Sequence, residues 1–363
     1  MNPTKRRVLL FFVLVLIVVL LVFLQRFQNS PGSSSPPSVR ELGVNDPSSR
    51  IAQKAAQYPH AVELVAPDGY VNGANVTVGE HIGKDVIIID FWTYSCINCQ
   101  RTIPYLNDWY KKYHKDGLVI IGVHSPEFDF EKVHDNVKRA VEKFGIQYPV
   151  VQDNQYQTWN AYGNHYWPHK YLIDVDGFIV YDHVGEGGYD ETEKKIQELL
   201  DERNAVLKLA SVVNKTVSGG VFDQESRQVG TPEVYFGYGF SRAQFGNSEG
   251  WQPKKSVLYT LPEKTASNKF YLSGQWKNNF DNMELVGEHG TVTLRYLAQD
   301  VHFVAGASHP TTLHIVLDGK VKTDVTVHAF DLYTLVSENT SGQHTLEIRA
   351  DEPGIMAYTF TFG

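Results

Sequence analysis

The 363-residue chain contains only two cysteines and three methionines. A zinc site built on these two sulfurs would need two more ligands at suitable spacing, and no second CxxC or CxxH exists. A basic stripe is also missing, and the net charge of −8 argues against nucleic acid as a partner. No internal repeat is present. With 42% hydrophobic and 20% charged residues the chain reads as a folded globular protein, long enough for two domains and their connections.

One long apolar run is present, "VLLFFVLVLIVVLLVFL" at 8–24. As a helix its 17 residues would reach about 26 Å, close to the roughly 30 Å hydrocarbon core. Lys5, Arg6 and Arg7 precede it, which places that end in the cytoplasm and the rest of the chain outside. Residues 1–27 are therefore expected to be a single membrane anchor. The competing reading is a cleaved signal peptide. Small residues of the A-x-A kind are missing after the run, where Gln25, Arg26, Phe27 and Gln28 follow. Neither cysteine is placed for lipid attachment. Residues 28–57, rich in Ser, Pro and Gly, are expected to form a flexible tether. The compartment outside the membrane permits disulfides.

Strand and helix signals alternate across 58–207. The runs 86–91, 118–123 and 148–152 read as buried strands. Helices are expected from near Cys96 to about His114, over 130–144 closed by Gly145, over 155–162 and over 191–207. Asp176-Gly177 marks a hairpin between 171–174 and 178–182. The alternation implies a central sheet covered by helices.

Both cysteines fall in "IIIDFWTYSCINCQRTIPYL", as Cys96 and Cys99. A bridge closing four residues offsets only about 2 kcal/mol of unfolded-chain entropy, against about 4.7 for a hundred-residue loop. Structural stapling does not explain this spacing, but redox chemistry does. At a helix start, free N–H groups and the dipole favour negative charge on the first sulfur. Cys96 is then the attacking thiol, and Cys99, one turn inside the helix, resolves the mixed disulfide.

The motifs "FWTYSCINCQRTIPYL", "GVHSPEFDFEKV", "YWPHKYLID" and "GEGGYDETE" together resemble the thioredoxin superfamily, and within it the TlpA-like, DipZ-type extracytoplasmic thioredoxins. The resemblance spans roughly 66–200. It implies an α/β thioredoxin-like fold, a central mixed sheet with flanking helices. Asp90 matches the family's buried proton-handling carboxylate, and Pro104 its kinking helix proline. Trp167-Pro168 matches the cis-proline loop that holds extended substrate by backbone hydrogen bonds. Glu127 corresponds to an acidic residue that lies near the active cysteines in related haem-maturation reductases. Trp92 is expected to wall the site. The resemblance is not complete. Ser95 replaces the common Trp, and Ile97-Asn98 replaces Gly-Pro; that dipeptide tunes the redox potential. The multi-pass electron-carrying domain of some relatives is missing, so electrons must come from a separate membrane donor. Thr93 resembles the T-x-x-C of peroxide-reducing relatives, but the earlier proline of that motif is replaced by Ile89. His124, His165 and His169 are expected to be structural or exposed.

Residues 208–230 read as a linker. Beyond them, short β-rich segments separated by Gly, Asp, Asn or Pro suggest that 231–363 is an all-β sandwich or jelly roll. The pieces "TPEVYFGYG" and "LSGQW" resemble the carbohydrate-binding-module-like domain attached to some DipZ-type thioredoxins. Trp251, Tyr259 and Trp276 have the chemistry to stack on sugar rings or to fill a core, and core is the favoured reading. His302, His309 and His314 do not form a convincing metal set.

The expectation is a membrane-anchored thiol-disulfide oxidoreductase acting on protein disulfide or dithiol clients, with neither metal nor organic cofactor. The substrate groove is assigned to Trp92, Trp167 and Pro168. Two alternatives remain: a cell-surface glycan- or protein-binding protein using the C-terminal domain, and a thiol-dependent peroxidase.

Overall fold

The computed structural model of the chain describes residues 47–73, 75–210, 229–240 and 242–363. The expected anchor (1–27), most of the tether (28–57) and most of the linker (208–230) lie outside them. Among the described residues no helix is long and apolar enough to cross a membrane. The far end of the expected tether is helical: Pro47–Ala55 forms α1. Pro47 suits a first helical position, where its fixed φ is pre-set and its missing N–H has no partner to lose.

The described residues from Lys54 to Gly363 form one compact unit. Its first half carries β1 (Gly69–Val71), β2 (Val86–Trp92), α2 (Ile97–Tyr113), β3 (Leu118–His124), α3 (His134–Lys143), β4 (Val150–Gln152), α4 (Gln157–Ala161), β5 (His169–Ile173), β6 (Ile179–Val184) and α5 (Tyr189–Leu207). The sheet order is β1-β4-β3-β2-β5-β6. The neighbours β2, β3 and β4 are parallel, while β1, β5 and β6 join antiparallel. This is the expected mixed sheet. Every residue of β2 is buried, as a central strand covered on both faces requires. Ile87, Ile89 and Phe91 face a cluster with Trp159. Ile88 and Trp92 face α2 and α5, against Cys99, Leu106 and Trp109. Alternation puts Asp90 on this second face.

The expected helix over 130–144 is interrupted. A 3-10 turn at Asp129–Lys132 is followed by extended Val133, and α3 starts only at His134. Competing contacts account for the break. Phe130 turns toward the second half of the chain, 4.7 Å from the Tyr358 ring, and the Glu131 carboxylate turns inward to Ser95.

The second half is all-β: β7 (Val234–Tyr235), β8 (Ser256–Tyr259), β9 (Phe270–Asn278), β10 (Met283–Ala307), β11 (Thr311–Leu317), β12 (Lys320–Val327), β13 (Asp331–Ala350) and β14 (Ile355–Phe362). Instead of two separate sheets, the strands make one hydrogen-bonded antiparallel network. Its long strands β10 and β13 shift register at Ala298/Asp300 and Val301/His302, and such bulges bend a sheet around its core. Trp276 and Tyr259 lie in that core, 1% and 2% exposed, and so cannot stack on sugar. Trp251 is half-buried, and its indole N–H donates to Phe236 O at 2.9 Å.

Near the start of the compact unit the Lys54 ammonium is buried among three carboxylates. It donates to Asp174 at 2.6 Å, to Asp176 at 2.9 Å and to Glu202. Among the described residues these three acids are the one group spaced to hold a metal ion, and the ammonium already neutralises them. Burial alone would lower the Lys54 pKa, but Asp174 and Glu202 outweigh it and raise it. The stabilisation is therefore full at neutral pH and is lost only in strong alkali. Lys54→Met should lower stability by about 3 kcal/mol, because it strands buried carboxylates. Urea denaturation at pH 7 measures this.

Candidate active site

The redox pair sits where β2 hands over to α2. Cys96 is the N-cap of α2, with extended backbone (φ −77°, ψ 119°), and its Sγ accepts the Cys99 N–H at 3.3 Å. The first turn of a helix leaves N–H groups without partners, and here a sulfur takes one of them. Both thiols are free. Cys96 is half-buried and Cys99 is 1% exposed. Burial pushes the Cys99 thiol well above its usual range, and contact with Cys96 and the charge of Asp90 add to the shift.

Asp90 lies beneath the pair, 1% exposed, and its Oδ1 has no hydrogen-bond partner among the described residues. Burial raises its pKa to about 7, with the charge of Lys170 opposing. Lys170 escaped the sequence reading. It stands directly across from Asp90 in the β2–β5 register and is completely buried. Its Nζ donates to Gly185 O at 3.1 Å and lies 6.0 Å from the Tyr189 ring centroid. Burial lowers the Lys170 pKa, while Asp90 and Cys99 push it back up. The site is thus a buried triad of thiol, carboxylate and ammonium. Lys170→Met removes the only positive member. The Asp90 pKa should then rise further, moving the pH dependence of disulfide resolution about one unit or more toward alkali. Single-turnover rates across pH 6–9 measure the shift.

The Trp167-Pro168 bond is cis, as the motif implied. Pro168 is buried, and its carbonyl accepts the Gly185 N–H at 2.7 Å. Trp167 is half-buried and anchors its indole N–H on Ser125 O at 3.0 Å. Two expectations need correction. Trp92 is 1% exposed and meets His124 edge-on at 5.1 Å, so it packs beneath Cys99 and cannot wall a groove. Glu127 turns away from Ser95, and its carboxylate accepts the Tyr235 hydroxyl at 2.6 Å, in the β domain. Burial, with Glu233 nearby, raises the Glu127 pKa to about 8.

Glu131 holds the loop before Cys96 instead. Its carboxylate accepts the Ser95 hydroxyl at 2.7 Å and the N–H groups of Ser95, Glu127 and Phe128 at 3.2, 2.6 and 2.9 Å. Burial raises its pKa, and these hydrogen bonds oppose the rise. Phe128 stands at the cap of this turn, where a capping box needs Ser, Thr, Asp or Asn, so the sequence carried no capping signal for Glu131. Thr93 is buried, 3.4 Å from His124 Nε2, and burial pushes His124 down to about 3, so its ring stays neutral. His165 is exposed, and His169 is tied to Asn164 and Asp182.

The β domain presses on both flanks of the pair. Tyr94, two residues before Cys96, donates to Phe330 O at 3.3 Å. Arg101, two after Cys99, lies 3.5 Å from His302 Nε2. Phe128 meets Phe240 and Tyr358 at 5.6 and 5.1 Å, and Tyr235, Val304 and Tyr358 of the β domain join the apolar cluster of the first half.

A resolvable thiol pair at a helix start, a cis-proline loop and a buried carboxylate define a thioredoxin-type dithiol site. Known proteins agree. A model of the AhpC/TSA family matches residues 60–182, and a model described as thioredoxin like C-terminal domain matches 231–363. Protein DipZ of Mycobacterium bovis is 38% identical over 278 residues, 77% of this chain. The chain spans only 39% of DipZ's length. Thiol-disulfide oxidoreductase ResA of Geobacillus thermodenitrificans is 36% identical over 122 residues, covering 33% of this chain and 67% of ResA. Thiol-disulfide oxidoreductase YkuV of Bacillus subtilis is 29% identical over 140 residues, covering 39% of this chain and 93% of YkuV. The chain belongs to the family of thioredoxin-like thiol-disulfide oxidoreductases.

Proposed function

We propose that the chain exchanges disulfides with protein clients through Cys96 and Cys99. The Cys96 thiolate attacks a client disulfide, forming a mixed disulfide and releasing one client sulfur as thiolate, which takes a proton from water. Cys99 then gives its proton to Asp90 and attacks the Cys96 sulfur. The second client sulfur leaves, and a Cys96–Cys99 disulfide remains. Two electrons have passed from the pair to the client; the reverse sequence oxidises a client dithiol. The observation that carries this reading is the half-buried Cys96 Sγ at the helix start, backed by buried Cys99 and Asp90. Insulin-disulfide reduction by the full chain tests it. Turnover with a dithiol donor is the expected result, and none would overturn the reading.

Residues 8–24 act as a single anchor with the N-terminus cytoplasmic. The folded domains stand on the extracytoplasmic side, where a separate membrane protein supplies electrons. The apolar run and the basic residues before it support this placement. Reagents that label only the outer face of intact cells should reach Cys96 in the reduced protein.

A further inference from the structure

Resting on that reading, we propose that the cleft between the two domains is a second half of the client site, binding one large apolar or aromatic side chain near the client's cysteine. The cleft measures about 340 Å³. Trp167 and Tyr156 line it from the thioredoxin-like half, and Phe240, Phe280 and Arg242 from the β domain. Phe280 is 59% exposed, with its ring edge-on to Tyr238 at 5.7 Å. Glu127, Asp129, Lys132 and Asp281 also line the cleft, so it pairs aromatic rings with charged neighbours, and a large exposed apolar ring beside such a cleft is the surface expected of a binding site.

The occupant follows from what adjoins the cleft. Trp167 contributes to two surfaces. It lines the cleft, while its backbone directly precedes cis-Pro168 and β5. Among the described residues no backbone group pairs with the Trp167 N–H or C=O. An unpaired segment of this kind accepts an extended polypeptide by strand addition, with side-chain pockets supplying specificity. A polypeptide lying there would carry a neighbouring side chain into the cleft. The volume is at the small end of ligand pockets and suits one side chain better than an oligosaccharide. The lips are held in place before binding. Glu127 accepts the Tyr235 hydroxyl at 2.6 Å, and the Asp129 N–H donates to Asp281 at 3.3 Å. Such preorganisation lowers the ordering cost of binding.

The test separates this proposal from the redox chemistry by measuring binding alone. Labelled peptides carry Ser in place of Cys, with Phe or Gly two to four residues away, and anisotropy reports their affinity for the oxidised full chain. The Phe peptide should bind about tenfold more tightly than the Gly peptide, a difference removed by Phe280→Asp and largely kept by Phe280→Leu. An unchanged melting temperature in both variants rules out unfolding. Equal affinities in the unaltered chain, or a preference that survives Phe280→Asp, would overturn the proposal. So would chitohexaose displacing the Phe peptide from the unaltered chain but not affecting Phe280→Asp, which would assign the cleft to sugar. Failure of insulin reduction would overturn the redox reading and leave this binding result standing by itself.

Discussion

Cys96→Ser should reduce insulin-disulfide turnover by about three orders of magnitude or more, because a hydroxyl cannot form the mixed disulfide. Cys99→Ala should behave differently. Its first step survives, but nothing resolves the adduct, so the client stays bound to Cys96. Intact mass after a single turnover should show one client per chain. The structure assigns the order of attack by access. Cys96 is half-buried at the mouth of the helix, whereas Cys99 is 1% exposed and its thiol is held protonated by burial. Reversed roles would show as an adduct on Cys99 in the Cys96→Ser variant. The trapped species also identifies the client, and the equilibrium of the pair with glutathione gives the direction of electron flow. About 30 mV corresponds to about 1.4 kcal/mol for this two-electron couple.

Much of this site was readable because its parts are local. Cys96, Cys99 and Pro104 lie on one helix, and the strands β2 and β3 announce themselves as β-branched runs. Pro168 was found through its motif. What was hidden depends on distant contacts. Lys170 looks like an ordinary surface cation in "WPHKYLID" until the β2–β5 register sets it opposite Asp90. Glu127 and Glu131 are four residues apart and equally acidic. Only the interruption before α3 decides which faces Ser95 and which faces Tyr235. That interruption is itself long-range, since Phe128 and Phe130 leave the helical path to pack on the β domain. The sugar-stacking candidates followed the same logic: the buried environments of Trp276 and Tyr259 come from strands far apart in sequence. The contacts of the two halves beside the redox pair, through Tyr94 and Arg101, likewise join residues more than 200 positions apart and carry no local signal.

Asp90→Asn should make the protein more stable at pH 8, and slower wherever the wild-type carboxyl is ionised, near and above pH 7. The carboxyl is fully buried with one oxygen unpartnered, and its folded pKa of about 7 stands above an ordinary value of 3.8. Between those two values the folded state binds the extra proton, so stability falls as pH rises and the loss is complete above pH 7. At 1.36 kcal/mol per unit the penalty is at most about 4 kcal/mol. Asparagine never ionises and avoids it. The variant's gain should therefore approach that figure in urea denaturation of the reduced protein at pH 8 and nearly vanish at pH 4. An equal gain at both values would mean that some other group titrates. The same ionised carboxylate is what Cys99 needs, because its own thiol holds its proton tightly. General-base assistance is worth about a hundredfold or more, and resolution of the mixed disulfide in Asp90→Asn should slow by that factor. A buried charge that costs the fold several kcal/mol is kept where proton transfer requires it, the usual conflict between stability and activity at a reactive site.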